Sequence, residues 1–219
     1  PGCWHVMGVT QAAGLSLKWF RDNLAEKYKD EASLKGVDSY DLINQDVARV
    51  PIGSRRLLYL PYLMGERTPH LNPDCRGVFF GLSAIHTKAD MLRAVMEGVS
   101  YSLLDCWDVL REMHVDVSEM MACGGGGKSR IWRQMLADMY GCEVKTIKAQ
   151  EGPALGVAIL AGVGAGIFKD VPSACRQFIE QDTWCQPEAA SHAYYEKGHA
   201  LYKKLYQQLK SCYTDLAGL

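Results

Sequence analysis

The sequence predicts an α/β domain, and three observations carry that expectation. Between about Val117 and Gly164 a strand-like run, a cluster of glycines, an amphipathic helix, a second strand-like run and a small-residue helix follow one another, an alternation that argues for layers of helix on sheet. A long helical periodicity, apolar on most sides, precedes them. The chain has 219 residues and no evident internal repeat, enough to bury the core of one large domain.

Taken in order, Gly8 to about Lys29 reads as a helix, with Leu15, Trp19, Leu24 and Tyr28 roughly on one face. "DSYDLINQDVARV" predicts a second helix, capped at Asp38 or Ser39 and ending before Pro51. "RLLYLPYL" is short, apolar and closed by Pro61, so it predicts a buried strand. The thirteen residues "GERTPHLNPDCRG" form a loop, open to a functional or a connecting role. "VFFGL" is another strand candidate. From Thr87, which stands with Asp90 in capping-box-like spacing, Met91, Val95, Val99, Leu103, Trp107 and Leu110 recur every three or four residues. That predicts a long helix buried on most sides.

Then come a strand at about Val117 to Ala122, four glycines, a helix from Ser129 to Tyr140, a strand in "CEVKTIK" and a helix from Pro153 to about Gly164. A helix near Val171 to Ile179 and a long one from Ser191 to about Tyr213 close the chain. Tyr195, His199, Tyr202, Tyr206 and Leu209 form the apolar stripe of the last, read as helix packing.

Composition excludes several classes. With 24 Lys and Arg against 25 Asp and Glu, the formal charge is -1 and no long single-sign block occurs, so a nucleic-acid partner is not expected. The eight cysteines and six histidines are scattered, without CxxC or HExxH spacing. No metal site or disulfide framework is expected, and reduced thiols in a cytoplasmic protein are. No apolar run reaches the ~20 residues of a membrane span, so no membrane partner is expected. The opening "PGCWHVMG" has no initiator Met, which suggests a piece of a longer protein.

The stretch "MMACGGGGKSRIWRQMLAD" carries the chemistry. Four glycines in regular structure cost roughly 1 kcal/mol each. Backbone N–H groups without Cβ atoms at the start of a helix allow a phosphate, ribose or adenine edge to lie against the main chain. The two best-known phosphate loops do not fit. A P-loop needs glycine where Ala122 stands, and the dinucleotide fingerprint lacks its last glycine in "GGGGKSR". "EGPALGVAILAGVGAG" opens a further helix at Glu151, Gly152 and Pro153, whose small residues suit close packing and whose start could line a nucleotide cleft.

These segments together resemble the FGGY carbohydrate kinases. "GVFFGLSAIHTKADMLRAVMEGVSYSL" is similar to the family's C-terminal signature: Gly77, Phe79, Gly81 and Leu82, seven residues, then Asp90, Met91, Ala94, Val95, Met96 and Glu97. "CGGGGKSRIWRQMLADMYG" resembles its adenosine motif and "EGPALGVAILAG" the helix that follows. "LPYLMGERTPHLNPDCRGVFFGL" is close to the xylulokinase form of the family, and "WHVMGVTQAAGLSLKWFRD" resembles the start of its second domain.

The resemblance implies an actin-like ATPase, ribonuclease-H-like domain, a mixed sheet with flanking helices. Residues 1–219 would be the nucleotide-side half of a two-domain kinase that uses ATP and Mg²⁺ on a small sugar held in the cleft between halves. Gly124, Gly125, Gly126 and Gly127 would pass under the adenine and α-phosphate, with Ser129 near the adenine or ribose. Gly14 and Lys18 would face the nucleotide phosphates, although Lys18 replaces the amide of some relatives and reads equally as a solvated helix residue.

The DxGT phosphate motif, the sugar pocket and the general base of such kinases lie in an N-terminal domain outside these residues. Hence no catalytic residue is assigned here; Asp90, Asp105 and Asp138 each have an ordinary packing or capping explanation. The implied reaction is phosphorylation of a pentulose, D-xylulose to D-xylulose 5-phosphate, with ribulose, gluconate or a deoxy-ketose as alternatives. A non-catalytic actin-like ATP-binding module is a rival from another class, and an oxidoreductase is disfavoured by the failed fingerprint. The isolated chain is expected to bind nucleotide weakly or not at all and to transfer no phosphate, and its partner-facing surface to favour self-association, including a homodimer.

Overall fold

In the computed structural model of the chain, residues 4–115, 117, 119–148 and 152–219 are described. In order they form α1 (Ala13–Leu24), α2 (Lys27–Lys35), α3 (Ser39–Ala48), β1 (Leu58–Leu60), β2 (Val78–Phe80), α4 (Lys88–Glu112), β3 (Glu119–Met121), α5 (Gly124–Lys128), α6 (Arg130–Tyr140), β4 (Glu143–Ile147), α7 (Gly152–Gly164), α8 (Val171–Phe178), β5 (Gln181–Cys185) and α9 (Ala189–Ala217).

The long helix α4 is the frame. Its start is a capping box: the Thr87 and Asp90 side chains each satisfy the other's backbone N–H. Burial alone would raise the Asp90 pKa, but hydrogen bonds from Thr87 and the nearby Arg55 hold it below the usual carboxylate range. Leu92, Val95, Met96 and Val99 of α4 pack with Leu17 and Phe20 of α1, Tyr28 of α2, Ile43 and Val47 of α3 and Tyr59 of β1. Farther along, Tyr101, Leu104 and Trp107 join Tyr195, Tyr202, Leu205 and Tyr206 of α9 in a second, aromatic cluster. The tyrosine stripe is helix packing, as the periodicity predicted.

A buried Glu97 fastens this frame. Its carboxylate accepts from Gly53 N–H (2.9 Å), Ser54 Oγ (2.8 Å), Arg93 Nε (2.8 Å) and the Tyr195 hydroxyl (3.0 Å). The segment it holds is a left-handed turn, in which Gly53, Ser54, Arg55 and Arg56 all have positive φ. Such backbone is costly for the three side-chain-bearing residues, by ~1–3 kcal/mol each. Glu97 supplies fixed acceptors that hold it.

β1 and β2 pair antiparallel, while β3 runs parallel to β4 and β4 antiparallel to β5, giving the expected mixed sheet with flanking helices. Several local expectations change. The first helix breaks at the buried Ala25 into α1 and α2. Leu15 and Leu24 are exposed, and Leu17 and Phe20 are the buried pair, because the stripe first counted ran across that break. The four glycines open a short helix of their own, α5, ahead of the expected helix, which starts at its Ser129 cap as α6. β5 carries the polar sequence "QDTWC" at a sheet edge, exposed except at Cys185, and offers no alternation to read. The expected strand at Val117 to Ala122 is β3, with Ser118 outside the described residues.

Candidate nucleotide cleft

Each of the four glycines has its own physical reason. Gly124 has φ +71°, a conformation that favours glycine, and it turns the chain from Cys123 into α5. At Gly125, as at Gly14 and Gly124, nothing lies within 4 Å of where a Cβ would stand. A side chain added there would fill open space. At Gly126 a Cβ would rest on the Trp132 ring at 3.6 Å, an ordinary contact. At Gly127 it would come within 2.9 Å of the Ala122 carbonyl oxygen, so the last glycine serves close packing.

Ser129 then interrupts the helix with extended backbone and starts α6, its Oγ accepting from Trp132 N–H at 3.3 Å. The same hydroxyl donates to Asn44 Oδ1 on α3 at 2.8 Å. Between α1, α3 and α5 opens a cleft of about 340 Å³, lined by Gly14, Leu17, Asp38, Tyr40, Asp41, Asn44, Gly125, Gly126, Lys128, Ser129 and Trp132. Trp132 forms a wall that cannot drift. Its Nε1 donates to Ser100 Oγ at 2.9 Å, and that hydroxyl donates to the Met96 carbonyl of α4 at 2.8 Å. A slot of this size, with apolar faces and a few directed polar groups, suits a flat heterocycle.

The structure divides the sequence-expected residues. Gly14, Gly125, Gly126 and Ser129 share this cleft. Gly124 and Gly127 line a second cleft of about 350 Å³, with Lys128, Arg133, Thr146, Lys148, Thr183 and Gly152 at the start of α7, and Gly127 also meets Gly14, Gly125, Gly126 and Trp132 around a third of about 380 Å³; Glu151 lies outside the described residues. Lys18 stands one turn beyond Gly14 on α1, largely exposed, with Nζ 2.6 Å from Asp22 Oδ2. The wall contributed by α3, Asp41 and Asn44 above all, was missed from the sequence. An Asn inside an otherwise ordinary amphipathic helix gave no signal.

The loop "GERTPHLNPDCRG" reaches the cleft indirectly. Glu66, buried, accepts from Thr10 Oγ1 (2.8 Å), Gln11 N–H (2.8 Å), Arg67 N–H (2.8 Å) and Ser102 Oγ (3.0 Å). Thr68 Oγ1 accepts from Val9 N–H at 3.1 Å. Because Ala12 offers α1 no side-chain cap, these bonds fix where α1 begins, and hence where Gly14 faces.

The remaining acidic groups are accounted for. Asp138 accepts from Gln134 and from Glu188 N–H, and burial raises its pKa. Asp105 accepts from His199 Nε2 at 2.7 Å. With Asp108 these two could in principle hold a metal, their ligand atoms lying within 4.8 Å of one another. Lys203 Nζ already sits 2.9 Å from Asp108, however, so the cluster carries its own cation. The described cysteines are free thiols, and no helix among the described residues is long and apolar enough to cross a membrane.

Residues 1–165 match the family described as FGGY family of carbohydrate kinases, C-terminal domain. The chain is 40% identical over 216 residues to a xylulose kinase of Staphylococcus epidermidis, covering 99% of this chain and 42% of that protein. It is also 40% identical over 164 residues to the gluconokinase of Bacillus subtilis, covering 74% and 32%. The structure superposes on ligand-bound xylulose kinase from Lactobacillus acidophilus with a TM-score of 0.81 at 29% identity, covering 94% of this chain and 40% of that one. The chain thus spans about two fifths of the length of the relatives it matches.

Proposed function

The chain belongs to the FGGY family of carbohydrate kinases, and on that premise we propose that residues 1–219 are the nucleotide-side half of an ATP-dependent sugar kinase. Its fold is the actin-like ATPase fold of that family, helix-rich with a mixed sheet. The sugar, in this reading, is a pentulose, D-xylulose, phosphorylated to D-xylulose 5-phosphate. The observation that carries the nucleotide assignment is the open space at Gly14 and Gly125, two glycines from distant segments that line one cleft where neither needs to be glycine for packing.

ATP, bound with Mg²⁺, would supply the phosphoryl group. Leu17 and Trp132 would flank the adenine, Gly125 and Gly126 would admit it against the main chain, and Ser129 would hold the wall in register. Lys18 could reach a phosphate only by leaving Asp22. That exchange costs little, because a solvent-exposed i,i+4 pair is worth ~0.3–0.5 kcal/mol. Phosphoryl transfer depends on positioning and charge neutralisation. The sugar pocket and base are assigned to an N-terminal domain that closes on this half.

The test is a coupled ADP-release assay on the longer kinase across D-xylulose, ribulose and gluconate, with the 219-residue chain measured alongside. The xylulose reading expects the highest kcat/KM on D-xylulose and no turnover from the chain alone. The gluconokinase relative at equal identity favours gluconate as the second reading, and a preference for gluconate would replace the first. Ordinary turnover by the 219-residue chain would sink the assignment of the base to another domain.

A further inference from the structure

We propose that Asn44 reads the base of the nucleotide, donating from Nδ2 to a ring nitrogen of adenine; this rests on the assignment of the cleft to a nucleotide. A hydroxyl has one proton and accepting lone pairs. Ser129 gives its proton to Asn44 Oδ1 at 2.8 Å and accepts from Trp132 N–H at 3.3 Å. Turning Oδ1 toward Ser129 is the amide orientation in which the hydroxyl uses both roles, and it leaves Nδ2, the donor end, for the cleft that Asn44 lines. No protein acceptor takes Nδ2 among the described residues.

The neighbouring group completes a pattern. Asp41 lies three residues earlier on α3 and lines the same cleft, and residues at that spacing share a helix face. One face therefore offers an acceptor and a donor side by side. Adenine presents the complement, an exocyclic amine that donates beside a ring nitrogen that accepts, whereas guanine reverses the two, with a carbonyl beside a ring N–H. Asn44 and Asp41 are thus arranged to prefer adenine, and Ser129 is the positioning residue that sets the amide.

The experiment is ¹⁵N NMR titration of the chain with ADP to tens of millimolar, which detects weak binding, repeated with GDP and with the 1-, 3- and 7-deaza analogues of ADP. The expected result is movement of the Gly125 and Gly126 amides together with the Asn44 side-chain amide. Binding should be about 10-fold weaker for GDP and for one deaza analogue, the size of one lost hydrogen bond. Asn44→Asp keeps the acceptor for Ser129 and removes the donors, so discrimination among the deaza analogues should vanish in it. If that variant does not fold, the analogue series on the unmodified chain still decides. Glycine amides that move while all three deaza analogues bind as ADP does would overturn the role of Asn44 and leave the nucleotide cleft standing. If no nucleotide moves the glycine amides of the chain, calorimetric binding of the same nucleotides to the longer kinase decides: equal affinity for ADP and all three deaza analogues there overturns the role of Asn44, and binding that Gly125→Ala leaves unchanged overturns the cleft and the proposal with it.

Discussion

Gly98 and Gly125 are both helical glycines, and they are glycines for opposite reasons. A Cβ at Gly98 would stand 2.1 Å from the Tyr59 carbonyl oxygen, so α4 lies directly on β1. A Cβ at Gly125 would meet nothing within 4 Å. In the α4–β1 frame the missing side chain brings two backbones together; in the α5 cleft it keeps them from being screened. The same residue type thus marks backbone in contact in one region and, in the proposed nucleotide cleft, backbone left open in the other.

Substitution should separate the two. Gly98→Ala forces a methyl into a fixed backbone oxygen, and overpacking that cannot relax should cost ~3 kcal/mol or more, a fall in Tm of roughly 6–12 °C by calorimetry. If Gly98→Ala melts like the unmodified chain, the close approach of α4 to β1 is wrong. Next in size is Glu97→Gln, which keeps the shape but leaves Arg93 buried without its counter-charge. Denaturant unfolding should show a loss of about 1–3 kcal/mol.

In the cleft the pattern inverts. Gly125→Ala should be neutral or raise stability by roughly 0.5–1 kcal/mol, because alanine restricts the unfolded chain and favours helix. It should nonetheless weaken ADP binding about 10-fold or more in the longer kinase. Gly127→Ala sharpens the contrast within α5 itself, since its Cβ would press on the Ala122 carbonyl; here a loss of about 1 kcal/mol is expected. Equal effects of the two alanines on melting would erase the distinction.

The smallest effect is one of pH. Burial lowers the His70 pKa below its ordinary 6.5, although Asp105 pulls it upward. Its folded-state pKa is therefore depressed, so its contribution is fully present above pH 6.5 and is lost as the unfolded state takes up a proton below it. Tm should decline as the pH falls below about 6.5, and His70→Gln should flatten that slope. A slope unchanged in the variant would assign it to other groups.

How much was legible follows the same division. The capping box at Thr87 and Asp90, the apolar repeat of α4 and the tyrosine stripe of α9 are local patterns, set by residues within a turn or two of one another, and they emerged as read. The break at Ala25 was not legible, because it depends on what α1 and α2 pack against. Nor was β5, a polar edge strand that exists because β4 offers it a partner. Among the candidate site residues, Gly14, Gly125, Gly126 and Ser129 converge on one cleft, Gly127 joins the same three glycines around a neighbouring one, Gly124 lines a further one, and Lys18 pairs with Asp22.

By itself the sequence determined the layered α/β class, the extent of the long helices and the family, because periodicity, caps and ordered motifs are written along the chain. Only the tertiary structure decided which of four adjacent glycines opens a cleft and which closes a packing contact. It alone brought Asn44 to Ser129 across 85 positions and gave Glu97 a strained turn to hold. These are long-range juxtapositions, and a residue carries no local mark of the partner that another segment will bring to it.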